Sequence, residues 1–520
     1  MPLASNYAFE LQELVECIFR WMDKDDQHVL ALLNRHIFYM IMPLLWKHVT
    51  LGKLFSLSPV LGDICNRRSY SSLGRSKDNR FYRSLKPLDN EDLTRFDVYA
   101  PWVKHMELGN GRIDYAFHKA IALLYTCYTR RVLLPNLISI SSTALTNPLW
   151  VIPFLSPSLL RLSISIPAPE YLPTMIHLPS LSIFHSKILL HLLQQRCHQI
   201  EHLCLNSKEI VSDYKRRKDQ EYHYVLPMLA RHVDASIPKT VKRLLGYFIS
   251  SMRPLASFTI SSDMLNATCW ETVSNWPTLE SFEVIFTNRA FAFEIPRVSE
   301  SAFPAISRLG VYGIPEQTVL RRFWDIPSLV SKLRTVKLYL PSTFFNRESD
   351  AAAVLMTMFD LIARHSPDIQ SLWIATISPL SQFRDEVTYK VSTGALGKLE
   401  KLPLRKLRLD GMIIHPATQL PEYIASTFPE LIELGLPSQR ILLTELGDFS
   451  ARLPHLELLH IEPLTQIAWS NNTVELEKIP RHRARPLHTL EANFMTWDAD
   501  GNYYSEISMM QYREANAFLL

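Results

Sequence analysis

The chain has 520 residues, 47% apolar and 20% charged, with a formal net charge of only +4. That balance describes a folded protein with room for several domains or one long repeat array, and it excludes an intrinsically disordered chain. The charge is too mild to argue for nucleic acid, and 14 glycines against 33 prolines argue against phosphate-cradling loops. Six scattered cysteines without a C-x-x-C spacing read as reduced thiols. No signal-peptide pattern opens the sequence and no apolar run reaches bilayer length, so the cytoplasm or nucleus is expected, without membrane partners.

In chain order, residues 9–51 come first and differ from the rest. Leu11, Leu14, Val15, Ile18, Phe19 and Met22 follow helical spacing and predict one apolar stripe. Asp25 and Asp26 offer an N-cap for a second short helix carrying Val29, Leu32 and Leu33. A third helix runs through Ile37, Phe38 and Ile41, with Pro43 expected to end or re-aim it, and Leu44, Leu45, Trp46, Val49 and Leu51 come after it.

These residues read in one of two ways: a small helical cap on the rest of the chain, or a docking module. The segment from Leu11 to Met22, Asp26, Asn34-Arg35-His36 and Pro43-Leu-Leu-Trp-Lys47 resembles an F-box of the fungal type over about forty residues. Gln12 stands where that pattern has proline, and Gln27 where it has leucine. The resemblance implies a three-helix domain that docks the adaptor subunit of an SCF-type (cullin-RING) ubiquitin ligase, and the cullin scaffold through it. On that reading Leu11, Leu14, Ile18, Leu30 and Leu33 contact the adaptor, with Pro43 and Trp46 supporting.

Residues 52–99 are polar and basic, with little periodicity, and read as a linker or loop. From residue 100 to 497 one phrase recurs, two apolar residues three apart and a third two further on. It appears as Val103/Met106/Leu108, Leu159/Leu162/Ile164, Ile200/Leu203/Leu205, Leu255/Phe258/Ile260, Leu279/Phe282/Val284 and Ile306/Leu309/Val311. It continues as Leu333/Val336/Leu338, Ile369/Leu372/Ile374, Leu404/Leu407/Leu409, Leu431/Leu434/Leu436, Leu456/Leu459/Ile461 and, weakly, Leu487/Leu490/Ala492; copies from Leu137 and Leu181 are poorer.

This phrase resembles the leucine-rich repeat. A single unit cannot bury its apolar face, so neighbours must stack. The resemblance implies an α/β fold: an irregular solenoid behind the F-box, with a parallel sheet on a concave face. The asparagine usual three residues after the last leucine is missing; Gly111, Lys208, Met412 and Gln439 stand there. Helices are expected over 117–128 and 350–363, the latter capped by Asp350, and residues 498–520 are expected to close the array or form a tail.

No nucleotide, nucleophile-elbow or zinc-protease motif is present, so a non-catalytic subunit without cofactors is expected. Cys197, His198, His202 and Cys204 have zinc-type ligands at no ordinary zinc spacing and read as ordinary repeat residues. The basic runs 214–218 and 481–485 read as solvated segments. Residues between and beside the inward leucines should line the concave face. They include His105, Glu107, Glu283, Arg308, Tyr312, Lys337, Tyr339, Trp373, Lys406, Arg408, Asp410, Glu433 and His460. An exposed Trp373 flanked by Tyr339 and Arg408 has the composition of an interface hot spot, so Tyr312 to Asp410 in this series is the expected substrate-protein surface. Two functions fit: a ubiquitin-ligase substrate receptor, or a leucine-rich-repeat scaffold without a ligase role.

Overall fold

The computed structural model describes residues 13–61, 93–108, 131–142, 148–165, 183–206, 239–286, 296–341, 344–345, 351–377, 388–416, 419–442 and 448–464. Short stretches at 489–492, 496–497 and 503–504 and isolated positions elsewhere complete the described set; positions 14, 20, 33, 34, 263, 297 and 450 fall outside it. The chain divides into two compact units, residues 1–269 and 270–520.

In the first unit six parallel strands neighbour one another in chain order: β1 His48–Thr50, β2 His105–Glu107, β3 Ser139–Ser141, β4 Arg161–Ser165, β5 His202–Asn206 and β6 Ser257–Ser261. Each repeat phrase builds one of these strands. Its last two apolar residues lie on one face by the two-residue period, and its first sits in the turn before the strand. Leu159, Leu162 and Ile164 are all buried, as are Leu255, Phe258 and Ile260. The poorer copy from Leu137 also forms a strand, with Leu137, Ile140 and Ser142 buried. The copy from Leu181 lies outside the described residues.

Residues 48–50, expected within the N-terminal helical domain, instead supply β1, with Val49 paired to Met106. The helix before it spans Arg35–Trp46 and runs through Pro43, which was expected to end or re-aim it. Proline forfeits only one backbone bond there, and burial of Ile41, Met42 and Trp46 on the flanking turns outweighs that loss. Two short helices, Leu51–Phe55 and Thr94–Tyr99, occupy the described ends of the expected linker.

In the second unit β7 Ser281–Ile285, β8 Arg308–Tyr312, β9 Thr335–Pro341, β10 Ser371–Ile377, β12 Lys406–Asp410, β14 Glu433–Leu442, β15 Leu458–Leu464 and β16 Thr489–Ala492 pair in parallel, in that order. β11 Tyr389–Ser392 and β13 Met412–His415 form a separate parallel pair. β17 Thr496–Trp497 and β18 Tyr503–Tyr504 make an antiparallel one. The core behind β7 and β8 is aromatic, with Trp270 within 6.1 Å of the rings of Phe282, Phe303 and Phe323. The expected helix forms over Ala351–His365, burying Leu355, Met358, Phe359 and Ile362. Asp350 and most of residues 117–128 lie outside the described residues.

The missing asparagine has a substitute. Gln439 is buried, and its Oε1 accepts a 2.7 Å hydrogen bond from the backbone N–H of Ile414 in β13. A buried amide donor is thereby satisfied sideways, from one repeat to the next.

Candidate interaction surfaces

The open face of the second unit's sheet carries the residues that alternate with the buried leucines. Register aligns Glu283, Gly310, Lys337, Trp373, Arg408 and Gly435 in one row across β7, β8, β9, β10, β12 and β14. The next row holds Ile285, Tyr312, Tyr339, Ala375 and Asp410. The expected series therefore shares one surface.

Its centre is Trp373. The indole Nε1 donates to Asp410 Oδ2 at 3.1 Å, and the ring centroid lies 5.3 Å from that of Tyr339. The Arg408 guanidinium lies 5.0 Å from the indole centroid, and Lys337 Nζ 5.7 Å. Arg408 Nε also donates to both oxygens of Asp410, at 2.8 and 3.1 Å. One carboxylate thus orients the indole and the guanidinium together. Tyr312 and Tyr339 extend the cluster, their centroids 4.7 Å apart.

Exposure differs from expectation. Trp373 is half-buried rather than exposed, and Tyr312 and Tyr339 are buried. The three rings cover one another across the strands, and glycines make room for Tyr312 and for the Arg408 stem. A Cβ on Gly310 would lie 2.9 Å from Cε2 of Tyr312, and one on Gly435 would lie 2.8 Å from Cγ of Arg408. With glycine there, the tyrosine ring and the arginine stem lie flat on the sheet. Burial holds the Tyr339 phenol well above its ordinary pKa, and the Asp410 charge adds to the effect. Lys406, the remaining member of the series, is exposed and pairs with Glu433 on the next strand.

The second surface is the N-terminal helical segment. Residues 15–19 and 21 are helical, and a helix over Lys24–Ala31 comes next, with Asp23 at its N-cap rather than Asp25 or Asp26. Ile18 is 46% exposed, Trp21 74%, Val29 59%, Leu32 79% and Tyr39 51%. Such large apolar side chains are otherwise rare on the described surface. Other side chains of the segment pack inward. Trp46 is turned inward, 4.6 Å from the Tyr99 ring, with Lys53 Nζ 4.7 Å from its centroid.

Of the expected adaptor contacts, Ile18 is therefore exposed, Leu30 and Pro43 are half-buried, and Trp46 supports the fold from within. Leu11, Leu14 and Leu33 lie outside the described residues. The sequence reading missed Trp21 and Tyr39 and gave Val29 and Leu32 no surface role. Helical phase gives no signal for Tyr39, which stands three residues before the buried Met42 and seven before the buried Trp46.

The Cys197–Cys204 set does not converge. Cys197 is buried, and burial pushes its thiol up to about 12, whereas His198 is exposed. Among the described residues no group of three or more His, Cys, Asp or Glu is placed to hold a metal. Nor is any described helix long and apolar enough to cross a membrane.

No protein-family profile matches the chain, and no curated protein does. Among solved structures it is similar to an internalin (inlF) from Listeria monocytogenes str. 4b F2365, at 10% identity over 70% of this chain and 76% of that one. The TM-score is 0.27. The parallel strands in chain order, with the phrase's apolar residues buried behind them, are the stacked arrangement expected of the repeated phrase.

Proposed function

We propose that this chain is a substrate-recognition subunit of an SCF-type ubiquitin ligase. Its N-terminal helices dock the adaptor, which joins it to the cullin scaffold, and the sheet around Trp373 holds a protein substrate. The chain does no covalent chemistry. It raises the effective concentration of a substrate lysine near the ubiquitin-carrying enzyme.

The observation that carries this reading is the exposed apolar set Ile18, Trp21, Val29, Leu32 and Tyr39. Five large apolar side chains exposed within 22 residues of a helical segment have the composition of a partner site. It falls within the stretch whose Asn34-Arg-His and Pro43-Leu-Leu-Trp residues resemble an F-box. The Trp373 cluster has the anchor chemistry of an interface: aromatic and arginine side chains already held in place, so that little freedom is lost on binding.

A second reading, a repeat scaffold without a ligase role, is favoured by one observation. The helix Arg35–Trp46 and β1 are integral to the first sheet through Trp46 against Tyr99 and Val49 against Met106. These residues would serve as a cap even if nothing docked on them. Co-expression of the full chain with the adaptor and size-exclusion chromatography separates the two. Co-elution as a stoichiometric complex supports the receptor. Separate elution of a well-folded chain leaves the scaffold.

A further inference from the structure

The first unit carries a different surface where its strands begin. His48 of β1 and His105 of β2 stack face to face, with centroids 4.4 Å apart and planes 15° apart. Nδ1 of His105 shares a 2.8 Å hydrogen bond with Ser139 Oγ of β3, and Arg161 opens β4 in the same register row. Lys47 and Lys104 immediately precede the two histidines, and both are exposed.

The charge environment is one-sided. Beyond burial, the charges that lower the His105 pKa come from His48, Lys47, Arg161 and Lys104, and the charge that lowers that of His48 comes from Lys47. No carboxylate of the described residues pairs with Lys47, Lys104 or Arg161. Glu107, two residues beyond His105 in β2, is not among the charges acting on the pair.

We propose that the starts of β1 to β4 bind an acidic peptide segment of a partner protein, laid across the strands with its carboxylates against Lys47, Lys104 and Arg161 and the imidazole edges. The spread of the cations decides the class of ligand. Three strand spacings of about 4.8 Å separate β1 from β4, roughly 14 Å, which an extended chain covers in about four to five residues. A single phosphoryl group is too compact to meet cations spread over that distance, whereas a run of Asp or Glu side chains matches them. Exposed charges of this kind govern encounter rate and salt dependence more than final affinity. The surface does not depend on the ligase reading, since a scaffold would use it equally.

The test is fluorescence anisotropy of the full chain with a fluorescein-labelled octaglutamate at low salt. Binding is expected, falling steeply with added salt. Lys104→Glu with Arg161→Glu should weaken it at least tenfold. Lys47→Glu, a single change on an exposed side chain, should weaken it severalfold and serves if the double variant fails to fold. Lys401→Glu, on an exposed lysine of the second unit, should leave affinity unchanged. No binding by the folded wild type, or equal loss in Lys401→Glu, overturns the proposal. So does tighter binding of an otherwise neutral peptide bearing one phosphoserine.

Discussion

The side-chain amide of Gln27 donates to the backbone carbonyl of Phe19 at 2.9 Å, and to that of Met22 at 3.1 Å. Gln27 occupies the position where the F-box pattern has leucine. Leucine has no donor, so the departure closes the end of the first helix from the side of the second. Carbonyls at a helix C-terminus have no partner within the helix, and this glutamine supplies one.

Gln27→Leu should therefore destabilise the N-terminal segment, although it restores the family's residue. Two part-buried hydrogen bonds of roughly 0.5–1.5 kcal/mol each are lost. Hydrogen exchange at the amides of residues 15–22 should accelerate, while that of β4 to β6 stays unchanged. Unchanged exchange at the first helix would show the amide contacts to be idle.

Gln439 is the more costly residue to lose. In Gln439→Leu the buried N–H of Ile414 keeps no partner, a penalty of about 1–3 kcal/mol. Urea denaturation of the full chain should show the loss, and Gln439→Glu should not rescue it fully, because a buried carboxylate must be desolvated.

Gly435→Ala tests the Trp373 cluster without touching its members. The new Cβ would stand 2.8 Å from Arg408 Cγ, forcing the flexible arginine off the sheet. Arg408 would then leave Asp410 and the indole face. Stability should change by no more than about 1 kcal/mol, because part-exposed ion pairs contribute little. Affinity for a substrate protein held at Trp373 should fall further, approaching that of Trp373→Ala, where anchor loss typically costs about 2 kcal/mol or more.

The stacked histidines give the fold an acid-sensitive edge. Burial first, and then neighbouring cations, hold both imidazoles below the ordinary value of 6.5. In the unfolded chain they protonate near 6.5, in the folded one only at lower pH. The unfolded state thus binds more protons in that window, so stability is constant above it and falls as pH drops from 6.5 through the folded values. His105→Asn should flatten this slope in thermal melts recorded between pH 7.5 and 5.

Much of the fold was legible because the repeat phrase encodes burial directly. Leu434 and Leu436 alternate, both are buried, and the strand they define sits where the spacing placed it. The open-face rows came from the same alternation, which brought Lys337, Trp373 and Arg408 into one line. What the alternation could not give was exposure. Whether Tyr312 stands up or lies down depends on Gly310 in its own strand and on Tyr339 in the next, and the contacts across strands arise only once register is set. The N-terminal helices failed in another way. Short helices with apolar residues on several sides do not reveal which side meets the sheet, so Trp46 was grouped with surface residues although Tyr99, 53 residues later in the chain, covers it.

The proposed receptor role requires the exposed apolar residues of the N-terminal helices to dock the ligase adaptor. Isothermal titration of purified adaptor into the full chain and into Ile18→Asp with Leu32→Asp tests it most directly. Both side chains are exposed, Ile18 by 46% and Leu32 by 79%, so the variant should fold, with an unchanged melting transition. The account predicts saturable binding by the wild type and loss of at least a hundredfold in the variant. Equal affinity of the two, or no heat of binding with either, would contradict it.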